Sequence, residues 1–150
     1  MIDFNKFTNY SKEIVASAQN IMAENKNFEM QPEHLLMAMV KDVEGVAGDY
    51  LKELGILKQE FINLLAQNIK QYPTVSEPVS SQLYLSQNTQ KLFELANTAR
   101  EEMKDEYISV EHIILAMTMF DGNQIQELLQ RYSVNKNTVL KTIKNIRNKL

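Results

Sequence analysis

The sequence predicts an all-α fold of eight helices, arranged as two four-helix repeats related by a pseudo-twofold axis. Three observations predict it. Glycine and proline are scarce, four and three in 150 residues, and apolar residues recur at spacings of three and four, the signature of amphipathic helices. Helix start and stop signals follow one another in a regular order. Finally, "QPEHLLMAMV" (31–40) and "SVEHIILAMT" (109–118) are nearly the same phrase, 78 positions apart.

The elements can be placed in turn. Thr8 is a natural N-cap for "NYSKEIVASAQNIMAEN", whose Ile14, Ala18, Ile21 and Met22 form one apolar stripe. Pro32 sits where a first helical turn tolerates it and opens "PEHLLMAMVK". A short helix is expected from Val46 to Leu54, stopped by Gly55 at the C′ position. A fourth should run from Lys58 to about Gln71, burying Phe61, Ile62, Leu65 and Ile69. "YPTVSEPVSSQL" then reads as a connector, with two prolines, three serines and no helical period.

Beyond it the same order returns. Ser86 caps "QNTQKLFELANTAREEM", and Ser109 and Val110 open "EHIILAMTMF". Short and long helices follow at Ile125 to Tyr132 and at Lys136 to about Lys149. A shift of 78 superposes the halves without a gap. It sets Thr8 on Ser86, Ile14 on Leu92, Ala18 on Ala96, Glu33 on Glu111, His34 on His112, Met39 on Met117 and Leu51 on Leu129. An ungapped match with its apolar faces in phase marks an internal duplication. The expected boundaries are about 4–72 and 83–150, with 73–82 between them.

Composition narrows function. A hydrophobic share of 44% with 23% charged residues fits a globular domain, and a net charge of -3 draws the whole molecule to neither nucleic acid nor anionic membrane. Lys136, Lys141, Lys144, Arg147 and Lys149 make the last helix basic, which reads as a solvated face that suits a helix C-terminus. With no cysteine, disulfides, thiolate metal sites and cysteine nucleophiles are excluded. "MIDFNKFTNY" lacks a secretory pattern and no apolar run could span a bilayer, so a cytoplasmic location is expected.

The Glu-His pairs invite catalytic and metal readings, and neither fits. Adjacent helical residues point about 100° apart, so Glu33 and His34 cannot share one ion, and Gln31 and Ser109 stand three before the histidines where a ligand would be needed. No nucleophile elbow positions a serine and no Gly-rich loop cradles a phosphate. The expectation is a binding domain with no catalytic residue, no metal and no cofactor of its own. The histidines read as helix-start packing. Glu33 and Glu111 read as first-turn carboxylates at equivalent, solvent-reachable helix ends, able to meet a cationic partner, with Asp105 and Glu106 deepening the field around Glu111. Met30, Met37, Met39, Met103, Met117 and Met119 cluster about the repeated helices. They would fill the core, or, if partly exposed, line a groove for varied apolar segments.

"FTNYSKEIVASAQ", "EHLLMAMV", "YPTV" and "DEYISVEHIILAM" together resemble the N-terminal domain of the Clp ATPases, most of all the ClpB disaggregase branch. The likeness runs from about Phe4 to about Ile146. It implies an eight-helix pseudo-twofold globule, monomeric by itself, tethered before two AAA+ modules that use ATP and magnesium and assemble as homohexamers. It further implies capture of unfolded or aggregated polypeptide for threading through the hexamer pore, with no turnover by this domain. By position, the polar members of the family's capture groove fall on Thr8, Asp105 and Glu111, and the apolar ones on Leu95, Ala99 and His112. Ala99 and His112 depart from a leucine pattern that would make the groove greasier. The ClpC branch offers an alternative, in which phosphoarginine tags are read at Glu33 and Glu111 with Thr8 and Ser86 nearby, although the Gly-Thr preceding the glutamate there is missing here. Docking of an adaptor protein, as in ClpA and ClpC relatives, is a third reading.

Overall fold

The computed structural model describes residues 2–77, 82–120 and 123–149. Residues 78–81 of the connector and Gly122 lie outside them. Eight α-helices are present among the described residues: α1 (Asn9–Glu24), α2 (Pro32–Lys41), α3 (Val46–Glu53), α4 (Lys58–Ile69), α5 (Gln87–Glu102), α6 (Val110–Met117), α7 (Gln124–Gln130) and α8 (Lys136–Asn148). A single 3-10 turn, Phe4–Lys6, precedes α1 and was not foreseen. Most ends fall within two residues of expectation. The widest gap is at α6, which stops at Met117 rather than near Phe120.

The caps explain where the helices begin. The Thr8 hydroxyl accepts from the Ser11 amide at 3.0 Å, and the Ser86 hydroxyl from the Thr89 amide at 3.1 Å, satisfying amides that a helix start leaves without partners. α1 and α5 end alike, on Lys26 (φ 56°) and Lys104 (φ 61°), and Gly55 (φ 84°) has Ser133 (φ 58°) as its counterpart. Each pair is separated by the same 78 residues as the sequence match.

The halves are tied reciprocally. Ile108 donates to Lys6 O at 2.7 Å and Thr8 donates to Ile108 O at 2.9 Å; Met30 donates to Tyr84 O at 2.8 Å and Ser86 donates to Met30 O at 3.0 Å. Side chains repeat the exchange, Ser11 Oγ bonding Ile108 O at 2.9 Å and Thr89 Oγ1 bonding Met30 O at 2.7 Å. Each repeat thus lends its pre-helix segment to the other, as a twofold arrangement requires.

α2 and α6 form the centre. Every residue from Pro32 to Val40 and from Val110 to Met117 is buried. A helix that is apolar on all sides belongs inside, and α1, α3 and α4 surround α2 while α3, α5 and α8 cover α6. The methionine groove therefore does not form. Met30, Met37, Met39 and Met117 are core residues, and Met103 and Met119 are partly buried against that core.

Candidate functional site

Both histidines brace a helix start. His34 Nδ1 accepts the Gln31 amide at 2.8 Å, which leaves Nε2–H to donate to Asn27 Oδ1 at 2.9 Å. In the second repeat His112 Nδ1 accepts the Ser109 amide at 2.9 Å, and Nε2–H donates to Asp105 Oδ2 at 2.7 Å. Burial pushes His34 down to about 4 and also lowers His112, although Asp105 opposes the shift there. Each ring is neutral near pH 7, so the His112–Asp105 contact is a hydrogen bond to a neutral imidazole. The unfolded chain takes up protons near pH 6.5 and folded His34 does not, so this part of the stability is lost as pH falls from about 6.5 towards 4. Imidazole ¹⁵N NMR should show Nε2–H tautomers in both rings and titration of His34 near 4. A titration near 6.5 would contradict the assignment.

The carboxylates depart from expectation. Glu33 is 1% exposed and Glu111 8%; neither is at a solvent-reachable end, because the central helices are covered at their starts as well as along their sides. The Tyr72 hydroxyl, just beyond α4, lies 2.9 and 2.8 Å from the two oxygens of Glu33. Burial raises the Glu33 pKa despite that bond. Glu111 meets Arg147 instead: Nε and Nη2 donate to Oε2 at 3.2 and 3.1 Å. The Tyr50 hydroxyl of α3 adds a third bond at 3.2 Å. Burial would raise Glu111, but Ser109, its own amide and Arg147 together hold it below the usual carboxylate range.

Arg147 also grips Asp105, Nη1 to Oδ1 at 3.3 Å and Nη2 to Oδ2 at 2.9 Å. This fork on one carboxylate and paired bonds on another are the strong form of ion pairing. Arg147 is half-buried, not a member of a solvated basic face, and it neutralises the field that Asp105 was expected to deepen. Sequence reasoning missed it because Asp105 and Glu111 lie 42 and 36 residues away. Repeat comparison could have found it: the shift of 78 sets Arg147 on Ile69 and Asp105 on Asn27, so the second repeat carries a charged pair where the first is neutral.

Of the proposed groove residues, Asp105, Glu111 and His112 meet around Arg147, and Thr8 adjoins them through Ile108. His112 is 0% exposed and Ala99 is also buried; Leu95 is partly buried. Ser86, like Thr8, is engaged as a cap, and unlike Thr8 it is buried. An apolar cleft of about 400 Å³ opens elsewhere, between Ile2 and Phe4 on one side and Leu83, Tyr84 and Leu85 on the other, with Gln90 and Glu94 of α5 at its edge. At about 100° per residue, Gln90 and Glu94 lie on the flank of α5 opposite Leu95 across the buried stripe of Leu92 and Ala96. Phe28 stacks on Tyr84 with centroids 4.9 Å apart, and the two remain 50% and 37% exposed. No helix among the described residues is long and apolar enough to cross a membrane, and none of their acidic or histidine groups gathers into a metal-holding cluster.

A family model of the Clp repeat (R) N-terminal domain matches residues 6–132. The chaperone protein ClpB of Bacillus anthracis is 30% identical over 152 aligned positions, which take in 97% of this chain but 17% of that protein. The chain thus spans about a sixth of the ClpB relatives it matches. Its fold superposes on the Hsp104 N-terminal domain from Candida albicans with a TM-score of 0.77 at 18% identity, covering 97% of this chain and 93% of that one. It also superposes on a ClpV N-domain solved in complex with VipB peptide, with a TM-score of 0.66 at 19% identity over 93% and 89% of the two chains. The family model covers both Glu-His motifs and seven of the eight helices, and on that match the chain belongs to the Clp N-terminal domain family.

Proposed function

We propose that this chain is the substrate-capturing domain of a ClpB-type disaggregase, binding apolar stretches of unfolded or aggregated polypeptide and passing them to the pore of an AAA+ hexamer driven by ATP and magnesium. The observation that carries the reading is the exposed apolar surface around Leu83, Tyr84 and Leu85, extended by Phe28. Stacked aromatics and aliphatic edges left in water suit a weak, sequence-tolerant contact. Six tethered copies would turn weak contacts into avidity. The ClpV likeness supports the same kind of partner, since that N-domain is described in complex with a peptide.

In this reading Leu95 supplies a second apolar contact, with Thr8 and Asp105 at the polar edge, while the buried Glu111 holds Arg147 against Asp105. Ala99 and His112 support it from beneath. The alternative of a phosphoarginine reader gains nothing from the geometry, because Glu33 and Glu111 already bond Tyr72 and Arg147. An NMR titration of the labelled domain with an unfolded, phosphate-free polypeptide tests the proposal. Amides of residues 2–4, 83–85 and Leu95 should shift, and replacing Phe28 and Tyr84 together by serine should weaken binding at least about fivefold, given roughly 0.5 kcal/mol or more for each aromatic contact. Shifts produced by phosphoarginine alone, at Glu33, Glu111, Thr8 and Ser86, would replace capture by tag reading.

A further inference from the structure

A second opening lies between α1 and α2, a groove of about 520 Å³. Ile14, Ile21 and Ala38 form its floor, and Glu13, Ser17, Asn20 and Glu24 line one wall at helical spacing along α1. Lys41 and Asp42 form the other wall. Tyr10 closes one end, donating to Asp42 Oδ2 at 2.6 Å and accepting the Ala47 amide at 3.1 Å. The repeat comparison shows what is distinctive here. Positions equivalent to Lys41 and Asp42 are Met119 and Phe120 in the second repeat, and Phe120 is packed into the core. The same shift sets Ser17 on Leu95 and Ile21 on Ala99. The duplicated α1–α2 surface is therefore more apolar in one repeat, with Phe120 packed into the core, and polar-walled around a groove in the other.

We propose that this groove is a docking site for an unfolded segment in which an aliphatic side chain lies between two lysine or arginine residues. The inference rests on the reading that the chain captures unfolded polypeptide, and it names a class of segment. Charge complementarity selects the occupant. Three carboxylates face one ammonium, and Glu13 and Glu24 are exposed and make no ion pair among the described residues. Eleven residues of helix separate them by about 16 Å; side chains four positions apart on one face of an extended chain start about 13 Å apart, and flexible lysine stems cover the remainder. Cations at that spacing would reach both glutamates, while an aliphatic residue between them would lie on Ile21. The second repeat does not present the same pair of glutamates, because Lys91 stands at the position equivalent to Glu13.

The test is an NMR titration at low salt with two synthetic unstructured peptides. One carries two lysines four positions apart with a leucine midway between them, and the other has glutamate in place of each lysine. The lysine peptide should shift Glu13, Ser17, Asn20, Ile21 and Glu24 and bind about tenfold tighter than its counterpart, an advantage that falls with salt. The double variant Glu13→Gln, Glu24→Gln should remove most of that advantage while keeping its melting temperature, because both side chains are exposed. Equal affinity for the two peptides, or shifts confined to residues 2–4 and 83–85, would overturn the groove while leaving capture in place. Failure of both peptides and of a long unfolded polypeptide to bind anywhere would overturn both.

Discussion

Replacing Arg147 by methionine should lower the stability of the domain by about 2 kcal/mol at pH 7, between the 0–1 of an exposed pair and the 3–5 lost when a buried partner is removed. The intermediate size follows from exposure, since the Arg147 side chain is 34% accessible while Glu111 is 11%. Methionine keeps most of the aliphatic stem, so the loss reports the guanidinium. For a chain of this size the melting temperature should fall by about 6 °C. Asp105 and Glu111 would be left facing one another, and Glu111, still buried against Tyr50, would rise above its present pKa. The pH dependence checks the cause. Asp105 and Glu111 titrate below their ordinary values in the folded protein. Their contribution is therefore full above the unfolded carboxylate range and is lost as pH falls through the lowered folded values. The gap between wild type and Arg147→Met should narrow from about pH 5 towards pH 3. A gap constant with pH would mean that lost packing, not the ion pair, explains the variant.

That network also shows where the sequence stopped speaking. The caps Thr8 and Ser86, the helix order and the shift of 78 were legible, because capping and periodicity act within a few residues and leave local patterns. The place of the two histidines at helix starts was legible for the same reason, but their neutral state and the bond each makes to the amide three residues before it came only with the structure. What depends on packing was not. Glu33 looks like any first-turn carboxylate, and only the helices folded around α2 make it a buried one. One signal was available: "LLMAMV" and "IILAM" are apolar around the whole helix rather than along a stripe, and such a helix is covered on every side. Read that way, the glutamates at their starts are interior groups in need of partners. Tyr72, Tyr50 and Arg147 supply them from other elements, at distances in sequence that no local pattern spans.

Substituting glutamine for the two equivalent glutamates should give opposite results. Glu111→Gln removes the acceptor of a charge-assisted pair and leaves part of the Arg147 guanidinium without its carboxylate, so stability should fall by about 2 kcal/mol at pH 7. Glu33→Gln should raise it by about 1 kcal/mol. There the carboxylate is buried with a tyrosine hydroxyl and its own amide as partners and no ion pair among the described residues, and a neutral amide of the same shape avoids the desolvation that raises its pKa. The sign follows from linkage. A folded-state pKa raised above the unfolded one means the native state holds its proton longer, so wild-type stability falls as pH rises through that interval, and the variant lacks this fall. Urea titrations of both variants at pH 4 and pH 7 separate the cases. Glu33→Gln should gain most at pH 7, whereas Glu111→Gln should lose most there. Two losses of equal size would mean that both glutamates act alike as helix-start anions. Opposite signs would trace chiefly to isoleucine at 69 against arginine at 147, which gives one buried carboxylate a counter-charge and leaves the other with neutral partners.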